Sequence, residues 1–255
     1  MALRSGKSPV EAVRFIASQR AGTRTDLSDV VGSLSEPRPV RTVPQAKLDE
    51  LREVYICSPR AQEYMASRGF TDETTKVFEV GYDRGMDMVI VPIHNQKGEP
   101  IGVNGRSVEG KRFKLTRSLE RNSVLFNLHR ARRQGGTAIV FESQFDVMRA
   151  HQAGFPNGVC FFGSHISKEQ AGALQRYFDR VIIMTDADEA GRKAGHNLSA
   201  MLRNTAVEWA IWDWGVIYPD GAKDAGDMTD EQIRYCINNA VSDVAYKSYK
   251  QLAKR

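Results

Sequence analysis

Three acidic side chains stand at the ends of two apolar runs. Glu142 ends the run TAIVFE over residues 137–142, while Asp186 and Asp188 end the run RVIIMTDAD over residues 180–188. Carboxylates seldom lie in such apolar sequence unless a partner neutralises them. Their oxygens are ligands that Mg²⁺ prefers, and Mg²⁺ usually completes its shell with water and substrate phosphates. The pattern therefore indicates metal-dependent phosphoryl or nucleotidyl chemistry.

Further acids lie at spacings that would add to this group. Asp146 follows Glu142 by four residues, so both side chains could face one site from the start of a helix. Asp224 and Asp227 lie in the sequence DGAKDAGDMTDE, which follows another apolar run. Acids from three separate segments could therefore meet at a divalent ion.

Each of these acids also has a structural interpretation that the sequence leaves open. Glu142 and Asp146 would be favourable surface acids at a helix N-terminus, where the helix dipole attracts negative charge. Asp188 would serve as the N-cap of the following helix, with Asp186 in the turn before it. Asp224 would belong to a polar loop ahead of a further helix.

Basic residues are concentrated just before the first acidic segment. Between Val103 and Arg133 the sequence has nine basic and two acidic residues, so this stretch is more positive than the whole chain, whose net charge is +5. The basic residues are Arg106, Lys111, Arg112, Lys114, Arg117, Arg121, Arg130, Arg132 and Arg133. A basic band beside an acidic centre indicates a polyanion held next to a metal site, and a solvated basic face is the alternative.

Some of the basic residues are particular candidates for phosphate binding. Arg106 follows Gly105 and Lys114 is centred in RFKL, so either could bind a nucleotide phosphate or a template strand. Arg192 follows Gly191 in the first turn of a predicted helix, where it could reach a phosphate. An exposed position on a strand is the alternative for the first two.

The composition excludes several classes of protein. With 41% hydrophobic and 26% charged residues, the 255-residue chain is typical of a soluble globular protein. It has no apolar run of about 18 residues, as a membrane span requires, and no signal-peptide core. Its three cysteines lie far apart without a CxxC pair. We therefore predict a cytoplasmic protein with no membrane partner, disulfide framework or bound zinc.

Apolar periodicity predicts a small α+β segment before the acidic centre. The predicted helices lie at residues 8–20, 46–56, 59–68 and near 123–133, with a proline-rich linker after the first. The predicted strands lie at residues 86–94, 99–108 and 111–116.

Strands and helices are predicted to alternate from Gly136 onward. The strands lie at residues 137–142, 157–162, 180–185 and 206–212, and the helices at residues 144–153, 168–178 and 189–203. Ser167 and Gln170 have the spacing of a capping box. This order implies a parallel sheet with right-handed crossovers, which places the acids at the edge where such sheets bind ligands. The tail over residues 229–253 is predicted to be helical.

Five sequences resemble segments of DnaG-type DNA primases from phages and bacteria. FDRVIIMTDADEAGRKAG (178–195) resembles the DxD segment of their toprim domain, and IVFESQFDVMRAHQAG (139–154) resembles its glutamate segment. AKDAGD (222–227) is similar to the third acidic motif. The segment VIVPIHNQKGEPIGVNGRSVEGKRFKLT (89–116) resembles the basic subdomain before toprim, and SPVEAVRFIA (8–17) resembles the helix that closes the zinc-binding domain.

The resemblance implies an α/β fold, namely a toprim-type parallel sheet flanked by helices and preceded by a smaller basic α+β subdomain. The expected parts are an N-terminal helix and linker (1–45), a basic primase N-terminal subdomain (46–134), a toprim domain (135–228) and a C-terminal helix (229–255).

The resemblance also implies DNA primase activity, in which nucleotidyl transfer joins ribonucleoside triphosphates (NTPs) into RNA primers on single-stranded DNA for DNA replication. It makes Glu142, Asp186 and Asp188 catalytic and assigns Mg²⁺, or Mn²⁺ as an alternative, to these acids together with Asp146 and Asp224. The residues that it implies for nucleotide or DNA binding are Arg106, Arg112, Lys114, Arg117 and Arg192.

The chain departs from the family pattern at three points. Ser143 follows the glutamate where bacterial primases usually have glycine, the acids of the third motif, Asp224 and Asp227, are three residues apart where the family often has DxD, and no zinc ribbon is visible. A replicative helicase or a separate zinc-binding chain is therefore an expected partner, and the bacterial host cytoplasm the expected location. A toprim nuclease would use the same acids, and a non-catalytic module binding single-stranded nucleic acid is the other alternative. A type IA topoisomerase would need a tyrosine on further domains.

Overall fold

The first described residues form three helices. In a computed structural model of the protein, residues 42–163, 165–210 and 222–252 are described. The helices are α1 (Gln45–Ile56), α2 (Pro59–Ser67) and α3 (Asp72–Val77). The Ser58 hydroxyl caps α2 by accepting a hydrogen bond from Ala61 N–H. Helices α1 and α2 confirm two predicted helices, whereas the helix predicted at 8–20 lies outside the described residues.

A four-stranded antiparallel sheet follows in the order β1-β2-β3-β4. Its strands are β1 (Gly81–Asp83), β2 (Met88–His94), β3 (Pro100–Ser107) and β4 (Phe113–Leu115). Every residue of β2 is buried, since this strand lies between β1 and β3. Strands β2 to β4 confirm the three predicted strands. Strand β1 was not predicted, because three residues are too few to show an alternation of apolar and polar residues.

The segment between the two sheets differs from its prediction. Instead of one helix near residues 123–133, the structure has a 3₁₀ turn at Arg121–Ser123, an extended stretch and a short helix α4 at Leu128–Ala131. Phe126 N–H donates to Cys160 O at 2.9 Å, and Asn127 adopts a left-handed φ of 63°. The predicted helix is present only as α4, because tertiary burial of Phe126 overrides the local helical pattern before it.

The acidic segments belong to a second sheet, whose strand order is β6-β5-β7-β8-β9. Its strands are β5 (Thr137–Phe141), β6 (Gly158–Cys160), β7 (Arg180–Ile183), β8 (Ala206–Trp209) and β9 (Val241–Ser242). Strands β5 to β8 pair in parallel, as predicted. Strand β9 adds an antiparallel edge beside β8 that the sequence did not indicate.

Five further helices accompany this sheet in the described residues. They are α5 (Gln144–Gln152), α6 (Lys168–Tyr177), α7 (Glu189–Met201), α8 (Asp230–Asn238) and α9 (Asp243–Leu252). The capping box of Ser167 and Gln170 at the start of α6 is present as predicted. The tail is two helices rather than one, because α8 ends at Asn238 and the next residues pair with β8.

The two sheets share an apolar core within one compact unit that begins at Thr42. Ile139 of β5 and Ile182 of β7 enter the cluster that also contains Val91 of β2. Their neighbours Val140 and Ile183 enter a second cluster on the opposite face of the sheet. Burial on both faces explains why these strands are apolar throughout. Among the described helices, none has the length and apolar character needed to cross a membrane.

Candidate active site

The ends of β5 and β7 bring two of the predicted acids together. These strands are parallel neighbours with Val140 opposite Ile183, so the residues that follow each strand emerge at the same edge of the sheet. Glu142 comes directly after β5, and its Oε1 accepts a hydrogen bond of 3.0 Å from Asp186 N–H. The glutamate and the DxD segment therefore share one site.

Asp188 caps helix α7 at this edge. One of its carboxylate oxygens accepts a hydrogen bond of 2.8 Å from Gly191 N–H, and the side chain is exposed. Asp188 is therefore the N-cap of α7, as one of its two interpretations predicted. Its carboxylate still adds negative charge beside Glu142. Gly191 leaves room for this arrangement, because a Cβ there would lie 2.6 Å from Glu142 Oε1 and would also collide with Asp186 O.

Asp146 is buried one helical turn after Glu142 and has hydrogen bonds to both carboxylate oxygens. The Ser143 hydroxyl donates to Oδ2 at 2.7 Å, and Gly226 N–H donates to Oδ1 at 3.2 Å. Gly226 belongs to the third acidic segment. Asp146 therefore joins helix α5 to that segment across 80 residues of sequence.

The third acidic segment lies against the DxD segment. Ala187 N–H donates to Lys223 O at 2.8 Å, which brings Asp224 to the same edge of the sheet. Asp224 begins the 3₁₀ turn Ala225–Asp227 and accepts a hydrogen bond of 3.1 Å from Asp227 N–H. All three acidic segments predicted from the sequence thus converge.

The acids repel one another in a partly desolvated site, and their pKa values are raised. Burial raises the pKa of Glu142 to about 7, and the charges of Asp188 and Asp146 add to this effect. Burial likewise raises the pKa of Asp186 to about 7, with Glu142 and Asp224 adding to it. Burial also raises the pKa of both Asp146 and Asp224. Such a cluster binds protons or cations more readily than separate carboxylates do.

The donor set fits a hard divalent cation by its chemistry, since it consists of carboxylate oxygens around one sheet edge. In the described ranges, no three acidic, histidine or cysteine side chains are arranged to hold a metal ion as they stand. Glu142, Asp146 and Asp188 each accept a hydrogen bond from a backbone N–H. A carboxylate that accepts one such bond keeps further lone pairs, so these bonds orient the side chains without excluding a cation.

A cavity of about 320 Å³ opens beside Glu142, between the two sheets. Its lining residues are Asn104, Arg106, Phe113, Leu115, Arg121, Glu142, Ser143, Gln144, Phe145, Phe162 and Gly163. The Arg106 guanidinium lies between two aromatic rings, 5.0 Å from the centroid of Phe113 and 5.1 Å from that of Phe145. The cavity therefore has a cation on one wall and a carboxylate on another.

The other basic residues predicted to bind nucleotide or DNA do not line this cavity, whereas Arg121 of the basic band does. Lys114 alternates with Phe113 along β4 and so lies on the other face of the sheet, where its Nζ is 2.8 Å from Met86 Sδ. Arg112 and Arg117 are exposed. Arg192 is half-buried in α7, and its Nη1 donates to Ala187 O at 2.7 Å, within the DxD segment. Among these candidates, Arg106 alone meets the acids at the cavity.

Sequence reasoning missed several residues that build the site. Phe145 and Phe162 line the cavity, and Phe162 has an unusual φ of 55° that no local pattern signals. Arg149 is buried in α5 and donates to Gly69 O at 2.7 Å and to Met228 O at 2.9 Å. It thereby ties the helix that carries Asp146 to the residues after the third acidic segment. In the sequence alone, Arg149 looks like an ordinary arginine on the exposed face of a helix.

The raised pKa of Asp186 predicts a pH-dependent stability difference. Its folded-state pKa lies above the unfolded value, so its ionisation destabilises the fold progressively as pH rises from about 4 to about 7. Without divalent ions, Asp186→Asn should therefore melt roughly 5 °C above wild type at pH 8 and equally at pH 4. Calorimetry at both pH values measures the difference. An asparagine variant that is less stable at pH 8 would contradict the repulsion.

Comparison with known proteins finds a matching family model and relatives of this chain. A family model described as a Toprim domain matches residues 136–209. The DNA primase of Clostridium acetobutylicum is 30% identical over 204 residues, which cover 72% of this chain and 33% of the relative. The chain thus spans about a third of the length of this curated relative.

Two solved primase structures share the fold. The DnaG primase catalytic domain bound to single-stranded DNA has a TM-score of 0.67 and 18% identity, and the match covers 82% of this chain and 81% of that one. The Aquifex aeolicus primase structure with zinc-binding and RNA polymerase domains has a TM-score of 0.65 and 22% identity. That match covers 94% of this chain and 69% of the Aquifex aeolicus chain. At these identities the likeness concerns the fold.

Proposed function

We propose that this chain, which has the catalytic core of the DnaG-type primases with its toprim domain, joins ribonucleoside triphosphates into short RNA primers on single-stranded DNA. The observation that carries the proposal is the convergence of Glu142, Asp186 and Asp224 beside a cavity that also holds Arg106. Carboxylates for a cation and a guanidinium for phosphate are what nucleotidyl transfer requires.

The proposed division of the chain follows its two sheets. A basic subdomain over residues 46–134 would contain the antiparallel sheet, and a toprim domain over residues 135–228 would contain β5 to β8. The C-terminal part would begin at residue 229, and most of the N-terminal part, residues 1–45, lies outside the described residues. The family match over residues 136–209 supports the position of the second part.

The proposed cofactor is Mg²⁺, with Mn²⁺ as the alternative, held by Glu142, Asp146, Asp186, Asp188 and Asp224. Bound there, the ion would neutralise triphosphate charge and stabilise the attacking and leaving oxygens of an in-line displacement. The chain itself supplies the desolvated carboxylates and the backbone N–H groups that fix their places. Glu142, whose pKa lies near neutrality, would act either as a ligand or as the base that accepts the proton of the attacking hydroxyl.

The basic residues would hold the polyanions. Arg106 faces the cavity and is proposed to bind NTP phosphate, whereas Arg112, Lys114 and Arg117 would contact the DNA backbone outside it. Arg192 would hold the DxD segment in place through its hydrogen bond to Ala187 O. From there it would also contact a phosphate of the NTP or the DNA. Binding of single-stranded DNA should therefore weaken steeply with salt.

Arg106→Ala is expected to lower kcat/KM for NTPs by about 10- to 100-fold, because a charge-assisted hydrogen bond to phosphate is lost. The chain should stay folded, since Phe145 also packs against Phe70 and Phe113 is exposed. Steady-state incorporation kinetics at several NTP concentrations measure the effect. Arg180→Ala, which removes an exposed arginine at the opposite edge of the sheet, is the matched control. A collapse of the melting temperature in Arg106→Ala would contradict its assignment.

Incubation with single-stranded DNA, NTPs and Mg²⁺ tests the proposed function directly. Short RNA products support primer synthesis, whereas degraded DNA would indicate a toprim nuclease that uses the same acids. A second reaction on template with a preannealed oligoribonucleotide separates initiation from extension. No extension at saturating Mg²⁺ or Mn²⁺ would indicate a non-catalytic module that binds single-stranded nucleic acid.

The proposed partners follow from the same function. They are single-stranded DNA, NTPs and either a replicative helicase or a separate zinc-binding chain. The solved Aquifex aeolicus primase carries zinc-binding and RNA polymerase domains together, which motivates the last of these. The proposed location is the bacterial cytoplasm, in a host cell if the chain is phage-encoded.

A further inference from the structure

Phe113 is an exposed aromatic side chain at the wall of the cavity. Its relative exposure is 62%, and it stands on the short strand β4 directly opposite Arg106 of β3. A single exposed apolar residue is ordinary on a protein surface. What distinguishes Phe113 is that it lines the same cavity as Glu142 and Ser143, which places its ring within the proposed active site.

The Arg106 guanidinium lies between Phe113 and the buried ring of Phe145. The guanidinium carbon is 5.0 Å from one ring centroid and 5.1 Å from the other, so both rings restrain the cation. The Nε of Arg106 is buried and has no hydrogen-bond partner. The stack therefore positions a cation at the cavity wall, while most of Phe113 stays accessible to a ligand.

The size and lining of the cavity suit a single nucleotide. Its volume of about 320 Å³ is at the lower end of the range for small-molecule sites. Its polar side includes Arg106 and Glu142, which match the phosphates and a cation that accompanies them. Its apolar side includes Phe113 and Leu115, which match a planar base. Aromatic side chains stack any base, because every base presents a π-face.

We infer that Phe113 stacks on the base of the incoming ribonucleoside triphosphate whose phosphates Arg106 holds. The inference rests on the proposed function and adds a base-binding element to its nucleotide site. Stacking on a ring is tolerant of base identity, which suits an enzyme that has to accept all four NTPs. Phe113 would thus raise nucleotide affinity without selecting among bases by hydrogen bonding.

The test is equilibrium binding by calorimetry in the presence of Mg²⁺ and without DNA. Phe113→Ala is expected to weaken ATP binding about tenfold, in line with the loss of one base–aromatic stack. The affinity for UTP should fall less than that for ATP, since a pyrimidine base has a smaller ring surface to stack on Phe113. Binding of inorganic tripolyphosphate, which has no base, should change by less than about twofold. Phe113→Trp, which keeps an aromatic ring at this position, should bind ATP about as tightly as wild type.

Two controls separate stacking from indirect effects. Tyr235→Ala removes an aromatic side chain of 48% exposure from α8 and should leave ATP binding unchanged. Equal losses for ATP and tripolyphosphate in Phe113→Ala would mean that Phe113 only positions Arg106, which overturns the inference. Unchanged ATP binding also overturns it, including a case in which only the affinity for a single-stranded oligonucleotide falls, since the occupant would then be a template base. Because no synthesis is required, a failed primer assay would leave these results interpretable.

Discussion

Asp186→Asn is expected to reduce ribonucleotide incorporation on single-stranded DNA by about 10³-fold or more, because stabilisation of phosphoryl charge by a bound ion contributes several kcal/mol to the transition state. Asp186 lies three residues after the end of β7 and interacts electrostatically with Glu142, Asp224 and Asp188, so it stands at the centre of the cluster. Its backbone N–H, which holds Glu142, is unaffected by the substitution. The position of Glu142 should therefore survive the loss of charge.

Asp188→Asn provides the second arm of this prediction. Asparagine is as good an N-cap as aspartate, so helix α7 should keep its capping hydrogen bond from Gly191 N–H while the site loses a negative charge. A loss of activity similar to that of Asp186→Asn is expected. Asp188→Ala would remove both the cap and the charge, which is why asparagine is the more informative substitution.

The measurements for both variants are primer synthesis, affinity for a labelled single-stranded oligonucleotide and melting temperature. DNA affinity should stay within about twofold of wild type, because the basic residues proposed to contact phosphates are unchanged. Asp49→Asn, an exposed acid on α1, is the matched control and should be active. A parallel loss of DNA binding and melting temperature would indicate that the aspartates support the fold rather than the reaction.

The acidic centre could be read from sequence because its signals are local. Apolar runs that end in Glu142 and Asp186 predict strands, and capping patterns such as Ser167 with Gln170 predict where helices begin. Parallel order then brings the strand ends to one edge, as the hydrogen bond between Glu142 and Asp186 N–H confirms. Each step used the residue's own neighbours and one rule of chain topology.

The remaining geometry depends on contacts between distant segments. Nothing near Asp146 indicates that its carboxylate accepts a hydrogen bond from Gly226, and nothing near Arg106 indicates that Phe145 stacks on it. The separation of Arg106 and Lys114 onto opposite faces depends on the register of β3 and β4, which pairs Arg106 with Phe113. A register is set by the turn as well as by the strands, so composition alone could not assign it.

The same limit explains two of the errors in secondary structure. The segment near residues 123–133 has an amphipathic pattern, but Phe126 pairs with Cys160 and is buried in the core shared by the two sheets. The tail has a helical pattern, but two of its residues complete the edge of the second sheet. In both cases a long-range backbone hydrogen bond competes with local helix formation and wins.

Gly191→Ala is expected to abolish activity and to lower the melting temperature by roughly 5–10 °C, as overpacking by one methyl group against rigid neighbours costs about 1–3 kcal/mol. A Cβ at residue 191 would collide with Asp186 O and lie 2.8 Å from Asp186 N and 2.6 Å from Glu142 Oε1. Two of these atoms are backbone, so the collision can be relieved only by moving the DxD segment away from Glu142. Activity should fall even at temperatures where the variant is fully folded.

Gly172→Ala is the matched control, because this glycine also lies within a helix but has open space where a Cβ would be. Alanine should stabilise α6 by about 0.5–1 kcal/mol through its higher helix propensity. Thermal melts and primer synthesis at 20 °C compare the two substitutions. If Gly191→Ala proved as stable and active as Gly172→Ala, the close approach of α7 to the two acids would be unnecessary for catalysis. The site would then have to function with Glu142 and Asp186 farther apart than their hydrogen bond implies.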